Sequence, residues 1–493
     1  MHDTDDIGSN ESGNPHLQEM IEARIQRRTF LTGSVAAAAT GFLGGSLLGT
    51  SSSATAAPGN VPDSRLLFAP IAPSTDDTVR VPDGYTWHVL APWGTPLLPG
   101  AAMFAEDASN TAAEQALQVG FNHDGMHYFP LSPFGNTRGV LVVNHEYTDA
   151  SQIYTAVQGA TITSDAAGRE KVAKALAGHG VSVIAIQKDR EGRWQVVAGD
   201  DRNRRVTGTT PMAFSGPVSA THPMLRSLIT PGPLGTLNNC AHGHTPWGTY
   251  LACEENWNGY FGTDDTAWVA TPLEARYGVS RAGFGYNWHK AEARFDLARN
   301  RSELNHFGWV VEIDPFDPTS TPVKRTALGR TKHEGATCTE SKGRIVVYSG
   351  DDENGDYLYK FVGSAPWREL RARGSSPLDH GTLYVAQFDA EGGGRWLPLV
   401  HGAGPLTVAN GWFDQADVMI RTRLAADAAG ATRLHRPEWV AVHPHTREVF
   451  VTLTNGSANN AAVNGERDPN PYGHIVRFRE ADDDDTAFAW DLF

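Results

Sequence analysis

The hydrophobic pattern of the chain predicts many short strands and few helices. Short runs rich in Val, Ile and Tyr recur along it and are broken by Gly, Asp, Asn and Pro. Two segments predict helices instead: one begins at the capping-box pattern Thr111-x-x-Glu114, and the other runs from Ser164 to about Ala177 and ends at Gly178. The predicted strands are Gly139–Asn144, Val181–Gln187, Arg193–Val197, Thr249–Cys253, Trp309–Ile313, Arg344–Tyr348, Tyr357–Val362, Thr382–Phe388, Trp439–His443, Glu448–Leu453, His474–Phe478 and a last strand, Phe488–Phe493.

A weak sequence similarity between two segments of the chain refines this fold class. The segment from Trp309 to Pro315 resembles the segment from Trp439 to Pro444, because each is a strand that ends in x-Pro before a polar turn. Four-stranded blades arranged around an axis show weak similarities of this kind without strict sequence repeats. We therefore expect an all-β fold with short helical insertions, β-propeller-like and six-bladed, with a pair of sandwiches as the alternative. No Pro- or Ser-rich linker divides residues 57–493, which predicts one domain.

The first 56 residues have the pattern of an export signal. Arg27-Arg28-Thr29-Phe30-Leu31 is a twin-arginine motif, an apolar stretch follows from Val35 to about Leu48, and Ala54-Thr55-Ala56 offers a small-x-small cleavage site. We predict a twin-arginine signal peptide over residues 1–56, with Arg27 and Arg28 read by the twin-arginine export machinery. The mature protein is then expected in the periplasm or outside the cell.

Composition excludes several classes of partner. The 493 residues carry 56 acidic and 41 basic side chains, a net charge of −15, so a nucleic-acid reader is not expected. Hydrophobic residues make up 40% of the chain, enough for a large core, and no stretch after the signal is long enough to span a membrane. The three cysteines, Cys240, Cys253 and Cys338, are too few for a disulfide framework. We expect a monomer without membrane attachment after signal cleavage.

Carboxylates stand at the ends of several predicted strands. Oxygen-rich sets of this kind suit hard cations such as calcium, whereas a thiolate among them suits iron or another transition metal. Arg436 adds a planar guanidinium able to bind an oxyanion, and metals with an arginine in a polar channel favour phosphoryl-ester hydrolysis. The clusters are Asn144-His145-Glu146, the block from Asn239 through Cys253-Glu254-Glu255-Asn256, Lys332-His333-Glu334-Gly335-Ala336, Gly350-Asp351-Asp352 and Arg436-Pro437-Glu438-Trp439.

At these residues the sequence resembles the PhoX-type alkaline phosphatases. The twin-arginine signal fits this family, and the matching segments extend over nearly the whole mature chain. They are Gly120–Met126, Asn144-His145-Glu146, Asn239–Asn256 with its Cys-Glu-Glu, Lys332-His333-Glu334, Gly350-Asp351-Asp352, Arg436-Pro437-Glu438 and Asn470–His474. The resemblance implies a six-bladed-propeller-like enzyme that holds calcium and iron (Fe³⁺) in a shared cluster and hydrolyses small phosphate monoesters outside the cytoplasm.

The resemblance also implies roles for individual residues. Cys240 would be the iron-binding thiolate, and Arg436 would contact the phosphate. His242 and His244 depart from the family pattern, since small residues are more usual after the cysteine, and an imidazole there would add or replace a ligand. The implied metal ligands besides Cys240 are Glu146, Glu254, Glu334 and Glu438, with Asp352 as a weaker candidate.

Two other functions remain open from the sequence. A calcium-dependent lactonase or esterase on a propeller would use the carboxylates but would not need the thiolate. A non-catalytic exported propeller that binds a ligand would turn the carboxylate clusters outward. His123 and His127 have the spacing of zinc ligands on a helix, but Gly125 between them favours a turn.

Overall fold

The computed structural model describes residues 68–132, 135–459 and 461–493. The chain divides into two compact units, Met1–Val89 and Leu90–Phe493. The described part of the first unit, residues 68–89, contains neither helix nor strand. Arg27 and Arg28 lie outside the described residues, so the export signal and the predicted domain boundaries stay predictions.

The second unit consists mainly of strands, with a few short helices. Each predicted strand overlaps an observed one, and both predicted helices are present; Thr111 and Glu114 form the predicted capping box. The strands are β1 (His123–Pro130), β2 (Arg138–His145), β3 (Gly180–Lys188), β4 (Trp194–Val196), β5 (Arg204–Val206), β6 (Ala213–Ser215), β7 (Asn239–His244), β8 (Tyr250–Glu254), β9 (Val310–Ile313), β10 (Val323–Arg325), β11 (His333–Ser341), β12 (Arg344–Asp351), β13 (Asn354–Asp356), β14 (Leu358–Gly363), β15 (Gly381–Phe388), β16 (Gly393–Pro398), β17 (Leu434–His435), β18 (Pro437–Val442), β19 (Val449–Leu453), β20 (His474–Arg479) and β21 (Ala487–Leu492). The α-helices of the described residues are α1 (Ala112–Gln115), α2 (Ala150–Ile153), α3 (Ala166–Gly178), α4 (Pro272–Arg276), α5 (Trp367–Ala372), α6 (Gln415–Ile420) and α7 (Thr422–Ala429).

The strands form several sheets that are almost wholly antiparallel. One sheet has the order β1-β2-β3-β4 with β5 also on β3, and a second has the order β6-β10-β9-β8-β7. The largest has nine strands in the order β11-β12-β14-β15-β16-β21-β20-β19-β18. The hydroxyl of Thr337 on β11 donates to the carbonyl of Val440 on β18 at 2.6 Å, so this sheet nearly closes on itself. The all-β class with short helices is confirmed, whereas the number of blades stays a prediction.

Both faces of the central strands are buried. On β12 and β14, Val347 and Phe361 pack into one apolar cluster, and Val346 and Leu358 pack into another. Successive residues of a strand point to opposite faces, so a strand covered on both sides reads as a continuous apolar run. Each such side chain contributes about 1.5–3 kcal/mol by its burial. No helix in the described part of the chain is long and apolar enough to cross a membrane.

Four hairpins share one local geometry, and we call them the site hairpins. They are β1–β2, β7–β8, β11–β12 and β18–β19, numbered first to fourth in chain order. In each, a β-bulge interrupts the pairing near the start of the first strand. In each, the residue after the second strand also donates its backbone N–H to the carbonyl of the residue before the first strand. These bonds are Glu146 to Asn122 (3.0 Å), Glu255 to Asn238 (2.9 Å), Asp352 to Lys332 (3.1 Å) and Thr454 to Arg436 (3.1 Å).

Buried hydrogen bonds join the first site hairpin to the second. The side-chain amide of Asn144 on β2 donates to the carbonyl of Cys240 at 2.7 Å and to that of Ala241 at 2.9 Å. The hydroxyl of Tyr250 on β8 donates to the carbonyl of Gly125 at 2.8 Å. The bulge residues have no ladder partners for these carbonyls, so the two side chains satisfy them and fix the bulges in place.

The remaining junctions between the site hairpins depend on glycine. A Cβ atom on Gly243 of β7 would lie 1.8 Å from the carbonyl oxygen of Ala336 on β11. A Cβ atom on Gly350 of β12 would lie 2.2 Å from the carbonyl oxygen of Pro437 on β18. Only glycine lets these backbones approach so closely. The four site hairpins are therefore packed in chain order, each against the next.

Candidate functional site

The shared geometry of the site hairpins places equivalent side chains together. In each site hairpin, the second residue of the first strand lies in or beside the bulge. The residue that follows the second strand lies next to it, because its backbone N–H forms the hydrogen bond described above. Bulges re-aim side chains and are common next to active sites. The residues at the first position are Asp124, Cys240, Glu334 and Glu438, and those at the second are Glu146, Glu255, Asp352 and Thr454.

Cys240 lies where two groups of possible metal ligands meet. Its sulfur is 3.1 Å from Oδ2 of Asp124 and 3.1 Å from Oε1 of Glu334. A thiol has one proton, so only one of these contacts can be an S–H hydrogen bond at a time. Ligand atoms of Asp124, Glu146 and Cys240 lie within 4.8 Å of one another, as do those of Cys240, Glu255 and Glu334.

The buried carboxylates of this cluster fit a bound cation. Glu255 and Glu334 are 2% and 4% exposed. Oε1 of Glu255 and Oε2 of Glu334 are buried and have no hydrogen-bond partner among the described residues. An unpartnered buried carboxylate oxygen costs free energy that a coordinated cation would recover. The donor set of carboxylate oxygens and one sulfur is suited to a hard cation together with a transition metal.

The electrostatics of the cluster agree with this fit. Burial raises the pKa of the Glu334 carboxyl well above its ordinary value, and the charges of Glu255 and other nearby carboxylates raise it further. Burial likewise raises the pKa of the Cys240 thiol well above its ordinary value, with a further contribution from Glu334. Without a cation, the surrounding protein therefore disfavours the carboxylate form of Glu334 and the thiolate form of Cys240. A cation at the cluster would reverse this preference, because it stabilises carboxylate and thiolate ligands.

Arg436 and Asp352 form a fork at the edge of the cluster. Nε of Arg436 donates to Oδ1 of Asp352 at 2.9 Å, and Nη2 donates to Oδ2 at 2.8 Å. Nη2 is also 3.6 Å from Oε1 of Glu438. The backbone of Arg436 is left-handed, with φ of +48°, and its side chain is 21% exposed. Both oxygens of Asp352, which was predicted as a weak metal ligand, accept from this guanidinium and orient it, and its role as a ligand stays a prediction.

The structure corrects the predicted role of Glu254. Oε1 of Glu254 accepts from Nζ of Lys324 at 2.6 Å, and both side chains are 0% exposed. Oε2 accepts from the backbone amides of Gly308 at 2.9 Å and Trp309 at 3.0 Å. Glu254 is the last residue of β8, and adjacent strand residues point to opposite sides. Its carboxylate is therefore fully engaged behind the sheet, and Glu255 enters the cluster in its place.

The other predicted site residues lie at the centre, although their roles stay predictions. Glu146, Cys240 and Glu334 belong to the two ligand groups, and Glu438 lies beside them next to Arg436. The hydrophobic pattern did not single out Asp124 or Glu255. A repeated spacing in the sequence does indicate Asp124, because a polar residue stands two positions before the site residue in all four hairpins. The four pairs are Asn122-x-Asp124, Asn238-x-Cys240, Lys332-x-Glu334 and Arg436-x-Glu438.

Three histidines form a separate group beside the cluster. One ring nitrogen from each of His127, His242 and His244 lies within 4.8 Å of the others. Burial lowers the pKa of both His127 and His242 to about 4. His123 is not in this group, and the segment from His123 to His127 is strand, so the turn expected at Gly125 is wrong. All three cysteines are free thiols; Cys253 is buried in an apolar core cluster, and Cys338 packs against the same cluster.

Comparisons with known proteins extend this picture. A family model described as "Alkaline phosphatase PhoX" matches residues 66–493. The solved structure of Pseudomonas fluorescens PhoX in complex with vanadate, a transition state analogue, is similar, with 44% sequence identity and a TM-score of 0.80. The match covers 86% of this chain and 75% of that one. A comparison with curated protein sequences found no match.

Proposed function

The chain belongs to the PhoX family of alkaline phosphatases, and from this premise we propose that it hydrolyses small phosphate monoesters at a calcium and iron centre held by the four site hairpins. It is a phosphatase, and the family is metal-dependent. The observation that carries the proposal is the set of acidic side chains converging on Cys240 with buried, unpartnered oxygens. Such a set is held together most readily by cations.

The ligand chemistry supports calcium and iron as the ions. Asp124, Glu146, Glu255 and Glu334 offer hard carboxylate oxygens, which Ca²⁺ prefers. Cys240 offers a soft sulfur that calcium alone does not need and that Fe³⁺ accommodates. Because Cys240 belongs to both ligand groups, its sulfur would be available to an ion held by either group. The thiol also argues against the calcium-dependent lactonase.

In this proposal the residues of the chain bind and orient the phosphate. When bound, the ions supply Lewis-acid stabilisation of the negative charge that develops on the phosphoryl group. Arg436 binds phosphoryl oxygens with its planar guanidinium, and Asp352 holds that guanidinium in a fixed orientation. A preorganised donor costs no reorganisation in the transition state. The vanadate complex of the Pseudomonas fluorescens relative supports phosphoryl transfer as the reaction class.

We also propose that the protein is exported by the twin-arginine route and acts in the periplasm or outside the cell. The support is the motif at Arg27-Arg28 and the apolar stretch and small-x-small site that follow it. We further propose that the mature protein is monomeric and binds neither nucleic acid nor membrane.

A substrate panel with vanadate tests the proposed reaction. The purified protein should hydrolyse p-nitrophenyl phosphate much faster than bis(p-nitrophenyl) phosphate or a lactone, and vanadate should compete with the monoester. Arg436→Gln should raise KM and lower kcat, because it removes the charged fork. Arg395→Gln, which changes an exposed arginine on β16, is the matched control and should leave both unchanged. Faster turnover of the lactone, or an unaltered Arg436→Gln enzyme, would refute the proposal.

A further inference from the structure

The structure assigns a second metal site, for a borderline divalent transition ion of the Zn²⁺ class, to His127, His242 and His244. This site is distinct from the carboxylate and thiol cluster at Cys240. It does not rest on the phosphatase proposal, because none of its ligands belongs to that cluster.

Two neighbouring strands bring the three rings together. His127 lies on β1, and His242 and His244 lie two residues apart on β7, so both face the same side of that strand. The rings of His127 and His244 stack with centroids 3.8 Å apart and an interplanar angle of 19°, and the rings of His127 and His242 are 6.1 Å apart. One nitrogen of each ring lies within 4.8 Å of the others, so changes in ring orientation would bring all three onto one ion.

The ring of His242 is held in place, but one of its nitrogens has no hydrogen-bond partner among the described residues. It stacks on Tyr250 with an interplanar angle of 6° and meets the edge of Trp439 at 5.3 Å. Nδ1 of His242 is buried and has no hydrogen-bond partner among the described residues. Buried polar atoms are rarely left unpaired in native proteins, and a bound ion would satisfy this nitrogen. His244 is exposed, which gives an ion a route from solvent.

The ligand set selects the class of ion. Three imidazoles without a carboxylate do not suit calcium or magnesium, which take oxygen ligands. Imidazole suits Zn²⁺, Cu²⁺ and Ni²⁺, and three protein ligands leave one position of a tetrahedral site open to water or to a small ligand. The site is therefore open in the sense of a catalytic or regulatory zinc site, not closed like a structural one.

Zinc titration of the untagged holoenzyme tests this assignment. By calorimetry the wild type should bind one equivalent of added Zn²⁺ that His244→Ala and His127→Ala both fail to bind. His445→Ala removes an exposed histidine elsewhere and should bind as the wild type does. If His127→Ala fails to fold, His244→Gln at the exposed position replaces it. With Cu²⁺, the electron paramagnetic resonance spectrum should show imidazole nitrogen couplings that His244→Ala lacks.

The outcomes separate this site from the phosphatase centre. Cys240→Ser should still take up the extra Zn²⁺, whatever it does to turnover. Absence of Zn²⁺ uptake by the wild type, or equal uptake by the wild type and the histidine variants, would overturn the assignment and leave the phosphatase proposal untouched.

Discussion

Glu254 and Glu255 are adjacent acids with opposite roles, and replacing each by glutamine separates structure from metal binding. Glu254→Gln keeps the shape of the side chain and an acceptor for the two backbone amides. It removes the negative charge that neutralises Lys324, however, and leaves the buried ammonium with the carbonyl of His306, 2.7 Å away, as its remaining partner. Glu255→Gln removes one carboxylate from a set of mutually repelling acids.

The size of the first effect follows from the burial of the pair. Both Glu254 and Lys324 are 0% exposed, and removing one partner of a buried ion pair costs about 3–5 kcal/mol. We therefore expect Glu254→Gln to lower the free energy of unfolding by about 4 kcal/mol. Adding Lys324→Met should recover much of this loss, because it removes the unpaired charge. Glu255→Gln should instead reduce the bound metal.

Urea unfolding and metal analysis on the same samples make the test. With an m-value of about 4 kcal/mol per molar for a chain of this size, Glu254→Gln should lower the urea midpoint by about 1 M. Its folded fraction should keep the wild-type metal content, whereas Glu255→Gln should lose metal. Loss of metal from Glu254→Gln at unchanged stability, or a full metal complement in Glu255→Gln, would contradict the roles assigned to these two residues.

Three further expectations concern packing, pH and export. Gly243→Ala should destabilise the fold by about 1–3 kcal/mol in urea unfolding, since its Cβ would lie 1.8 Å from the carbonyl oxygen of Ala336; an unchanged midpoint would contradict the close approach. Burial lowers the pKa of His179 to about 4, so its neutral ring favours folding above pH 6.5, and about 3 kcal/mol is lost as the pH falls from 6.5 to 4. His179→Gln should make stability less dependent on pH over that window, and an unaltered profile would exclude this cause. Replacing Arg27 and Arg28 by Lys should keep the protein in the cytoplasm by cell fractionation, since the pair is recognised by a receptor; unchanged export would show that the motif is accidental.

The hydrophobic pattern predicts the apolar strands better than it predicts the first strands of the first three site hairpins. Strands β2, β3, β12 and β14 are rich in Val, Ile and Tyr and were predicted from that pattern. Strands β1, β7 and β11 were not, since their sequences carry histidines, glycines and acids. A strand whose side chains form a polar site cannot also show the apolar pattern of a core strand. The hydrophobic pattern therefore does not predict these strands.

Register could not be predicted from the sequence either. The similar segments at Trp309 and Trp439 form strands that occupy different positions. Strand β9 lies inside its sheet, whereas β18 is the bulged first strand of the fourth site hairpin. Which of Glu254 and Glu255 faces the cluster likewise depends on the register of β8, because successive residues of a strand point to opposite sides. The Cys-Glu-Glu segment was visible in the sequence, but which glutamate enters the cluster was not.

The metal content of the protein is the property that bears most directly on a calcium and iron centre at Cys240. The wild type, Cys240→Ser and the control Cys338→Ser are purified without chelator, and the metals bound to each polypeptide are measured together with the visible spectrum and phosphatase turnover. We expect calcium and iron in the wild type, with a thiolate-to-iron absorption band. Cys240→Ser should lose the band, the iron and most of the turnover, while Cys338→Ser should keep all three. A fully active wild type without bound metal, or a Cys240→Ser enzyme with wild-type iron and turnover, would contradict a catalytic iron and calcium centre at Cys240.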